Sequence, residues 1–406
     1  MRQPMRQILL LSCCITLSFA EIQTKGYIAL DSSIYSKKEN KHSRNMTLQQ
    51  QLEVNYINKN FSSDLQLYAQ QDTTDFTSQE DNERSFIRLD VLNATYDWNE
   101  QSFTVGKSIK FWGALEAENI VDTFNIQDKR NDPFITDKTG AWNIQYSNFT
   151  EDGELSIIAK VYEQKNELSS SSYMYYPFED NESLGDSLKS ENSLYRPTVY
   201  LNYSGSVYGE YSLDYAFIYQ NGYDSQRYLT KLSNTYEENA YLVNKLMTYN
   251  TAVINSTLYK LEALYTDVID DKSVSDYIHI ALGVEHTLDQ LENGAEVGII
   301  GEYYYYETLQ KDRLSDIQLS QAFQNDLFLG MRYNVNDEAD TNAVGGVILD
   351  TQYNEQSYYI EFETRVNDMF KITADYRYFN PSSTHDTVYA RLGYHQRAAV
   401  NISYHF

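Results

Sequence analysis

Cysteine, proline, positive charge and long apolar runs are all scarce in this chain of 406 residues. Its two cysteines are Cys13 and Cys14, so a chain that has lost its N-terminal leader has no disulfide, catalytic thiolate or cysteine-based metal site. The 32 Lys and Arg face 58 Asp and Glu, and the net charge of -26 argues against nucleic acid as a partner. Past residue 20 no stretch approaches 18 consecutive apolar residues, which excludes membrane-spanning helices there.

The first 20 residues predict a removable export signal. Arg2 and Arg6 precede an apolar run, and Ser18-Phe19-Ala20 has the small-x-small pattern of a cleavage site. A lipoprotein signal ending at Cys13 is the alternative, but cleavage there would leave a very short apolar segment. We therefore expect a leader at 1–20, cleaved after Ala20, and one domain at 21–406.

Residues beyond the leader alternate between apolar and polar types with a period of two, in segments of about ten residues. In the final segment Ala398, Val400, Ile402, Tyr404 and Phe406 share one face. A soluble β-sandwich would alternate in the same way. Charged residues on the polar faces, and tyrosines near strand ends such as those at 303–306, favour a membrane barrel with a wet lumen and aromatic belts.

The sequence predicts an all-β fold, a single transmembrane antiparallel up-and-down β-barrel of about 18 strands, with 16 as the alternative. The nineteen strand candidates are 26–35, 47–57, 61–70, 84–97, 101–107, 140–149, 153–163, 194–204, 207–219, 239–253, 257–268, 274–287, 294–306, 322–335, 341–352, 356–366, 370–379, 386–395 and 398–406. Single-chain bacterial barrels normally have an even number of strands, so one candidate is false, merged or split. Short turns such as 205–206 alternate with long outer loops, and this alternation blurs after residue 290, where we expect the miscount.

The export leader, the alternating strands and the terminal aromatic strand together resemble a Gram-negative outer-membrane porin over the whole mature chain. The resemblance implies a place in the cell outer membrane among lipid and lipopolysaccharide, and recognition of Phe406 by the barrel-assembly machinery. It leaves a homotrimer open. More narrowly, Val105-Gly106-Lys107, Phe111-Trp112-Gly113 and residues 119–128 are similar to a segment in a poorly characterised family of outer-membrane barrels. In that family arginine is usual where Lys107 stands.

Residues 108–139 form a loop too long to be a turn, and we expect it to fold into the lumen. Its charges of both signs would then make a constriction that filters solutes by charge. The alternative is a solvated outer loop anchored by Trp112 at the membrane interface. The constriction candidates are Lys107, Lys110, Trp112, Glu116, Glu118, Asp122, Asp128, Lys129 and Arg130.

Further charges on the polar strand faces are candidates for the lumen wall. Taken singly, each is more simply interpreted as a solvated or mutually paired wall charge than as a solute ligand. The wall candidates are Arg88, Asp90, Lys160, Glu210, Asp214, Arg332, Glu361, Glu363, Arg365, Lys371, Asp375, Arg377 and Arg391.

The sequence contains few patterns typical of catalytic or metal-binding sites. We predict neither an enzyme nor a bound cofactor. The adjacent pairs Glu285-His286 and His385-Asp386 point to opposite faces if they lie on strands. The acidic stretch 72–83 lacks the glycine spacing of a calcium loop. The predicted function is a channel for passive diffusion of small polar or charged solutes. A membrane-embedded hydrolase, and an adhesin or structural barrel acting through loops 164–193 and 220–238, are the alternatives.

Overall fold

The structure, a computed structural model, describes residues 21–36, 42–77, 84–134, 137–169, 171, 173–179, 181–269, 271, 273–288, 291, 294–310, 322–382, 384, 387–393 and 395–406. The predicted leader with its cleavage site, the two cysteines and the pair His385-Asp386 lie outside these residues. None of the helices in the described ranges is long and apolar enough to cross a membrane.

One antiparallel sheet of eighteen strands makes up the body of the molecule. Its strands are β1 (Glu21–Tyr35), β2 (Arg44–Asn58), β3 (Phe61–Asp72), β4 (Phe86–Trp98), β5 (Gln101–Ser108), β7 (Ala141–Thr150), β8 (Gly153–Lys160), β11 (Thr198–Val207), β12 (Ser212–Tyr223), β15 (Leu242–Ile254), β16 (Thr257–Val268), β17 (Tyr277–Leu288), β18 (Glu296–Thr308), β19 (Asn325–Asn334), β20 (Asn342–Asp350), β21 (Gln356–Arg365), β22 (Phe370–Asn380) and β23 (His395–His405). The connections carry β6 (Asp128–Lys129), β9 (Glu167–Leu168), β10 (Ser183–Leu184), β13 (Tyr228–Leu232), β14 (Thr235–Asn239), α1 (Thr73–Thr77) and α2 (Val388–Leu392).

The sheet closes on itself where its first and last strands meet. Residues 27–35 of β1 pair with residues 397–405 of β23 in an antiparallel register. The Gly26 N–H donates to the Phe406 carbonyl over 3.0 Å, and the Phe406 N–H donates back over 3.1 Å. A side chain on Gly26 would lie 2.3 Å from the Gln51 carbonyl oxygen, so glycine is needed at this seam. Closure leaves no unpaired edge, and the predicted eighteen-stranded barrel is confirmed.

Of the nineteen candidates, 386–395 is the false one. Residues 388–392 form the short helix α2, because the Thr387 Oγ1 accepts from the Ala390 N–H over 3.0 Å and starts a helical turn. Tyr389 and Leu392, three residues apart, are the buried pair of that turn. A second boundary is also corrected: β11 continues to Val207, so the turn falls at 208–211 and not at 205–206.

The outer surface of the barrel is apolar, as the alternation predicts. Ile299 of β18, Met331 of β19 and Ile360 of β21 are 52%, 55% and 55% exposed, while alternate residues turn inward. The tyrosines at 303–306 divide between the two faces: Tyr303 is exposed, but Tyr304 and Tyr306 are buried in the lumen. The aromatic-belt interpretation is therefore wrong for half of that run.

Connections at one end of the barrel are short, and those at the other end are mostly long. The short end carries turns such as 59–60, 151–152 and 255–256, together with Glu21 and Phe406. The long end carries the connections 109–140, 161–197 and 224–241. The first of these does not stay at the rim.

Candidate functional site

The connection between β5 and β7, residues 109–140, folds into the barrel lumen and is called the inserted segment below. Trp112 is buried against Phe124 and against Tyr200 of β11, with ring centroids 5.9 and 5.4 Å away. Since Trp112 lies among lumen side chains, the alternative in which it anchors an outer loop at a membrane interface is wrong.

Residues 112–124, the apolar arm of the inserted segment, pack on the barrel wall through buried hydrophobic side chains. Leu115, Ile120, Val121 and Phe124 belong to one continuous cluster with inward-facing residues of the wall. The wall members include Ile158, Tyr200, Ile218, Met247, Leu264, Ala281, Tyr304 and Phe328. They come from β8 round to β19, so one side of the lumen is filled at this level.

Two wall carboxylates bind the main chain of the apolar arm. Glu262 of β16 accepts from the Ala114 N–H over 2.7 Å and from the Val121 N–H over 3.3 Å. Glu302 of β18 accepts from the main-chain N–H groups of residues 116 and 117 over 2.7 and 3.0 Å. The two glutamates are only 0% and 2% exposed, so these N–H groups supply the hydrogen bonds that the buried carboxylates need.

Gly113 permits the close approach of the apolar arm to Glu262. Its φ of 109° lies in a region that residues with side chains rarely adopt. A side chain at this position would lie 2.6 Å from a carboxylate oxygen of Glu262. The pair Trp112-Gly113 therefore has a structural explanation, with tryptophan in the buried cluster and glycine beside the carboxylate of Glu262.

Residues 128–138, the ionic arm of the inserted segment, are held by arginines of the wall. Arg88 of β4 bonds Asp90 over 2.6 Å, Asp137 over 2.7 Å and also Asp128. Asp132 lies 3.6 Å from Arg377 of β22 and 3.8 Å from Arg397 of β23. Buried carboxylates need such partners, so the arm and the wall stabilise each other's charges.

The two arms reach opposite walls. Around the closed sheet β4 is the fourth strand and β18 the thirteenth, so Arg88 and Glu302 lie nine positions apart in a ring of eighteen. The inserted segment therefore spans the lumen from side to side. This is the geometry of a constriction or of a plug.

Most of the predicted constriction residues are engaged in the docking of the segment. Lys107 is buried and donates to the Leu89 carbonyl, Lys110 donates to Gln145, and Glu116 pairs with Arg332 over 2.6 Å. Asp122 pairs with Lys138, and Asp128 pairs with both Arg88 and Arg130. Ion pairing leaves Asp128 buried, which contradicts the expectation that it faces solutes, whereas Asp122 pairs with Lys138 and still lines the cavity described below.

The wall candidates lie inside the barrel with two exceptions. Glu210 is in the exposed turn between β11 and β12, and Arg391 is on α2 in an outer connection. Both predictions failed because alternation was extended across a turn or a helix. Several of the others form ion pairs: Lys160 with Glu163, Arg365 with Asp340, Lys371 with Glu363, Asp375 with Arg397, and Arg332 with Glu285 as well as Glu116.

Sequence reasoning missed the residues that fix the segment most directly. Glu262 and Glu302 lie within predicted strands on the inward face, so the alternation was a signal that could have found them. Asp132, Asp137, Lys138 and Arg397 were also missed, and no local pattern marks their pairing across the lumen.

Neither of the weaker chemical patterns gains support. Glu285 contacts Lys260 and Arg332 inside the lumen, whereas His286 bonds Thr257 on the outer face, as predicted for neighbours on a strand. Asp72 of the acidic stretch pairs with Arg84 over 2.7 Å, and residues 78–83 lie outside the described residues. Within the described part of the chain no group of three or more His, Cys, Asp or Glu side chains is placed to hold a metal.

A cavity of about 560 Å³ lies between the inserted segment and the outer connections. Glu118 and Lys129 line it from the two arms, and Glu361, Arg377 and Arg391 line it from the wall and α2. Aromatic side chains complete the lining: Phe134, Tyr175, Phe178, Phe323, Tyr359, Phe379 and Tyr389. A pocket of this size with convergent charges can hold a small polar ligand.

The fold is that of an outer-membrane β-barrel, as the resemblance in the sequence implied. OccAB2 of Acinetobacter baumannii is similar with a TM-score of 0.54 and 10% identity, covering 94% of this chain and 98% of that one. OccD3 (OpdP) of Pseudomonas aeruginosa has a TM-score of 0.53 and 8% identity, covering 95% and 91%. Wzi of Escherichia coli, an outer-membrane protein involved in group 1 capsule assembly and a carbohydrate-binding β-barrel, has a TM-score of 0.51 and 9% identity, covering 93% and 83%.

No family model matches the chain, and no curated protein matches it. The narrower resemblance of residues 105–128 to a poorly characterised barrel family therefore stays a prediction. At sequence identities of 8–10%, the similarity to these solved structures supports the fold alone.

Proposed function

We propose that this chain is an outer-membrane channel through which small polar or charged solutes diffuse passively, with the inserted segment as its constriction. The observation that supports this most is the double anchorage: wall carboxylates hold the apolar arm, and wall arginines hold the ionic arm on the opposite side. A segment fixed at both ends can narrow a lumen without moving with the solute.

The polar wall of β21 and β22 supports a wet conduit beside the segment. Glu363 and Lys371 pair over 2.7 Å with about a quarter of each side chain exposed, and Glu361 is half-buried. Charges of both signs alternate along this wall, so the proposed channel passes ions and neutral solutes alike.

The proposal includes the location of the protein in the cell. The chain is exported by its leader, inserted with the help of the terminal strand ending at Phe406, and surrounded by lipid and lipopolysaccharide. A homotrimer stays a prediction, which chemical crosslinking in native membranes would test. In this proposal the barrel has no catalytic activity and needs no cofactor.

Reconstitution tests the channel directly. Purified full-length protein in planar bilayers should give discrete conductance steps, and liposomes that contain it should swell in small solutes. Folded protein that gives neither steps nor swelling would overturn the proposal. Hydrolysis of lipid or peptide in the same preparation would favour the hydrolase alternative, and binding to surfaces by a non-conducting barrel would favour the adhesin.

Charge variants test whether the segment is the filter. Glu118→Gln removes a charge that lines the cavity, and Glu116→Gln leaves Arg332 with one acidic partner fewer, so both should shift the reversal potential toward anion preference. Glu151→Gln, in an exposed turn at the short end, is the matched control. Unchanged selectivity in both segment variants would place the filter elsewhere.

A further inference from the structure

The inserted segment carries ten charged residues, and eight of them have partners. These eight are Lys110, Glu116, Asp122, Asp128, Arg130, Asp132, Asp137 and Lys138, each bonded to a wall residue or to another residue of the segment. Glu118 and Lys129 are different. Neither side chain has an ion-pair or hydrogen-bond partner among the described residues, and both line the 560 Å³ cavity.

Burying a carboxylate and an ammonium without a hydrogen-bond partner raises the free energy of the folded protein. Each group loses hydration, and no direct contact with the protein replaces it. Burial raises the pKa of Glu118 to about 7, while the charge of Lys129 acts in the opposite direction. Burial likewise lowers the pKa of Lys129. A ligand that brings a charge to each group would remove both penalties.

A third polar group lines the same cavity. His279 of β17 lines it, is 2% exposed, and its Nε2 atom has no hydrogen-bond partner in the described part of the chain. The ring is held edge-on to Tyr306, with centroids 5.4 Å apart. A buried ring nitrogen without a partner is exceptional in a folded protein, so His279 adds an unsatisfied polar group to the lining of this cavity.

The remaining surface of the cavity is aromatic. Phe134 of the ionic arm stacks on Tyr389 of α2 with an interplanar angle of 3° and centroids 5.4 Å apart. Phe178 from the connection between β8 and β11 and Tyr359 of β21 add further rings. Such a lining suits an apolar or aromatic side chain next to charged end groups.

We infer that this cavity binds a zwitterionic solute, an amino acid or a short peptide, with its carboxylate at Lys129 and its ammonium at Glu118. The inference rests on the proposed channel function and names the solute class that the channel prefers. A singly charged solute would leave one of the two groups uncompensated, and a neutral sugar would leave both. The volume lies within the range of about 300–1,000 Å³ typical of small-molecule pockets.

The test compares three forms of one peptide on the full-length protein in detergent micelles at pH 7.5. Calorimetry measures the binding of Ala-Phe, of N-acetyl-Ala-Phe without the ammonium, and of Ala-Phe amide without the carboxylate. Because a charge-assisted hydrogen bond contributes roughly a tenfold gain in affinity or more, Ala-Phe should bind about tenfold tighter than either blocked form.

Each single variant should abolish the preference for Ala-Phe over one of the two blocked peptides. Glu118→Gln should bring Ala-Phe and its N-acetyl form to equal affinity while the amide stays weaker, and Lys129→Gln should do the reverse. The exposed turn variants Glu151→Gln and Lys59→Gln are the matched controls. The double reversal E118K with K129E keeps both charges in the cavity and should retain the preference for Ala-Phe over both blocked forms.

Equal affinity for the three peptides, no binding by folded protein, or a stronger response to a neutral disaccharide would each overturn the inference. Bilayer recordings of the same preparation separate this failure from failure of the channel. A barrel that conducts but does not prefer Ala-Phe refutes the zwitterion site alone, whereas a barrel that does not conduct refutes the proposed function.

Discussion

The two arms of the inserted segment are held to the barrel by different chemistry. The apolar arm, residues 112–124, packs its side chains on the wall and gives its main-chain N–H groups to Glu262 and Glu302. The ionic arm, residues 128–138, uses side-chain carboxylates, which Arg88, Arg377 and Arg397 bind from the opposite wall. The carboxylates that hold the apolar arm therefore belong to the barrel wall, whereas those that hold the ionic arm belong to the segment itself.

This difference bears on how each arm responds to substitution. An acceptor that binds main-chain N–H groups does not depend on which side chains the arm carries, provided that glycine remains at 113. The ionic arm depends on each Asp, because an arginine that loses one partner keeps its charge in a buried place. We therefore expect the ionic arm to be the more sensitive of the two to single changes.

Removal of both arms should give the largest effect. Ser108 and Ala141 pair across the β5–β7 ladder, so a four-residue Gly-Ser-Asn-Gly turn can replace residues 109–140 without moving either strand. Single-channel conductance should rise severalfold because the segment that spans the lumen between Arg88 and Glu302 is then absent. Retained β-sheet circular dichroism verifies the barrel, and an unchanged conductance in a folded barrel would show that the segment does not limit the current.

Arg88→Ala should release the ionic arm. It leaves Asp90, Asp128 and Asp137 without their shared cation, and breaking a buried pair in this way costs about 3–5 kcal/mol. Trypsin cleavage after Lys129 or Arg130, followed by mass spectrometry of protein in vesicles, should become about a hundredfold faster.

Arg365→Ala is the matched control for that experiment. Arg365 pairs with Asp340 where both side chains are well exposed, and such a pair contributes about 1 kcal/mol or less. Equal cleavage rates in the two variants would mean that Arg88 does not hold the arm.

The double change E262Q with E302Q should loosen the apolar arm by a smaller amount. Charge-assisted hydrogen bonds contribute roughly 1.5–3 kcal/mol, and the amide that replaces each carboxylate still offers one acceptor oxygen. Glutamyl endopeptidase cleavage after Glu116 or Glu118 should increase about tenfold, and the open-channel current should become noisier.

Glu307→Gln controls for the change of residue type, since Glu307 lies on β18 but is exposed on the outer face, where it bonds Tyr305. If the double variant behaves like this control, hydrophobic packing alone holds the arm.

The sequence predicted the barrel well because its signal is local. Alternation with a period of two depends only on residues that are close in the sequence. For this reason eighteen of the nineteen strand candidates correspond to barrel strands. The errors at Glu210 and Arg391 fall where a turn or one helical turn briefly imitates alternation. The length of the 108–139 connection likewise predicted that it folds back on the barrel, but length alone did not decide between the rim and the lumen.

The anchorage of the segment could not be predicted in the same way. Arg88 and Asp137 are 49 residues apart in the chain, and nothing near either residue marks the pairing. Glu262 acts through main-chain N–H groups of residues 114 and 121, which every sequence has. Predicting an exposed filter charge at Asp128 failed for this reason: its partner Arg88 lies on a strand of the wall 40 residues away in the chain.

A pH titration should show the smallest effect and separate Glu118 from the docked acids. The charged groups around Glu118 are Lys129, Asp122 and Lys138. Because burial raises the pKa of Glu118 to about 7, its negative charge is present above that pH and is lost below it. Cation preference, measured as reversal potential, should fall as the pH drops from about 8 to about 6, because Glu118 takes up its proton over this range. Glu118→Gln should remove the step, whereas Asp122→Asn should keep it, because the Glu118 carboxyl that titrates is still present in that variant. A step that persists in Glu118→Gln would assign the titration to another group, and the charge that the apolar arm presents to the solute would then not be the one that sets this pH dependence.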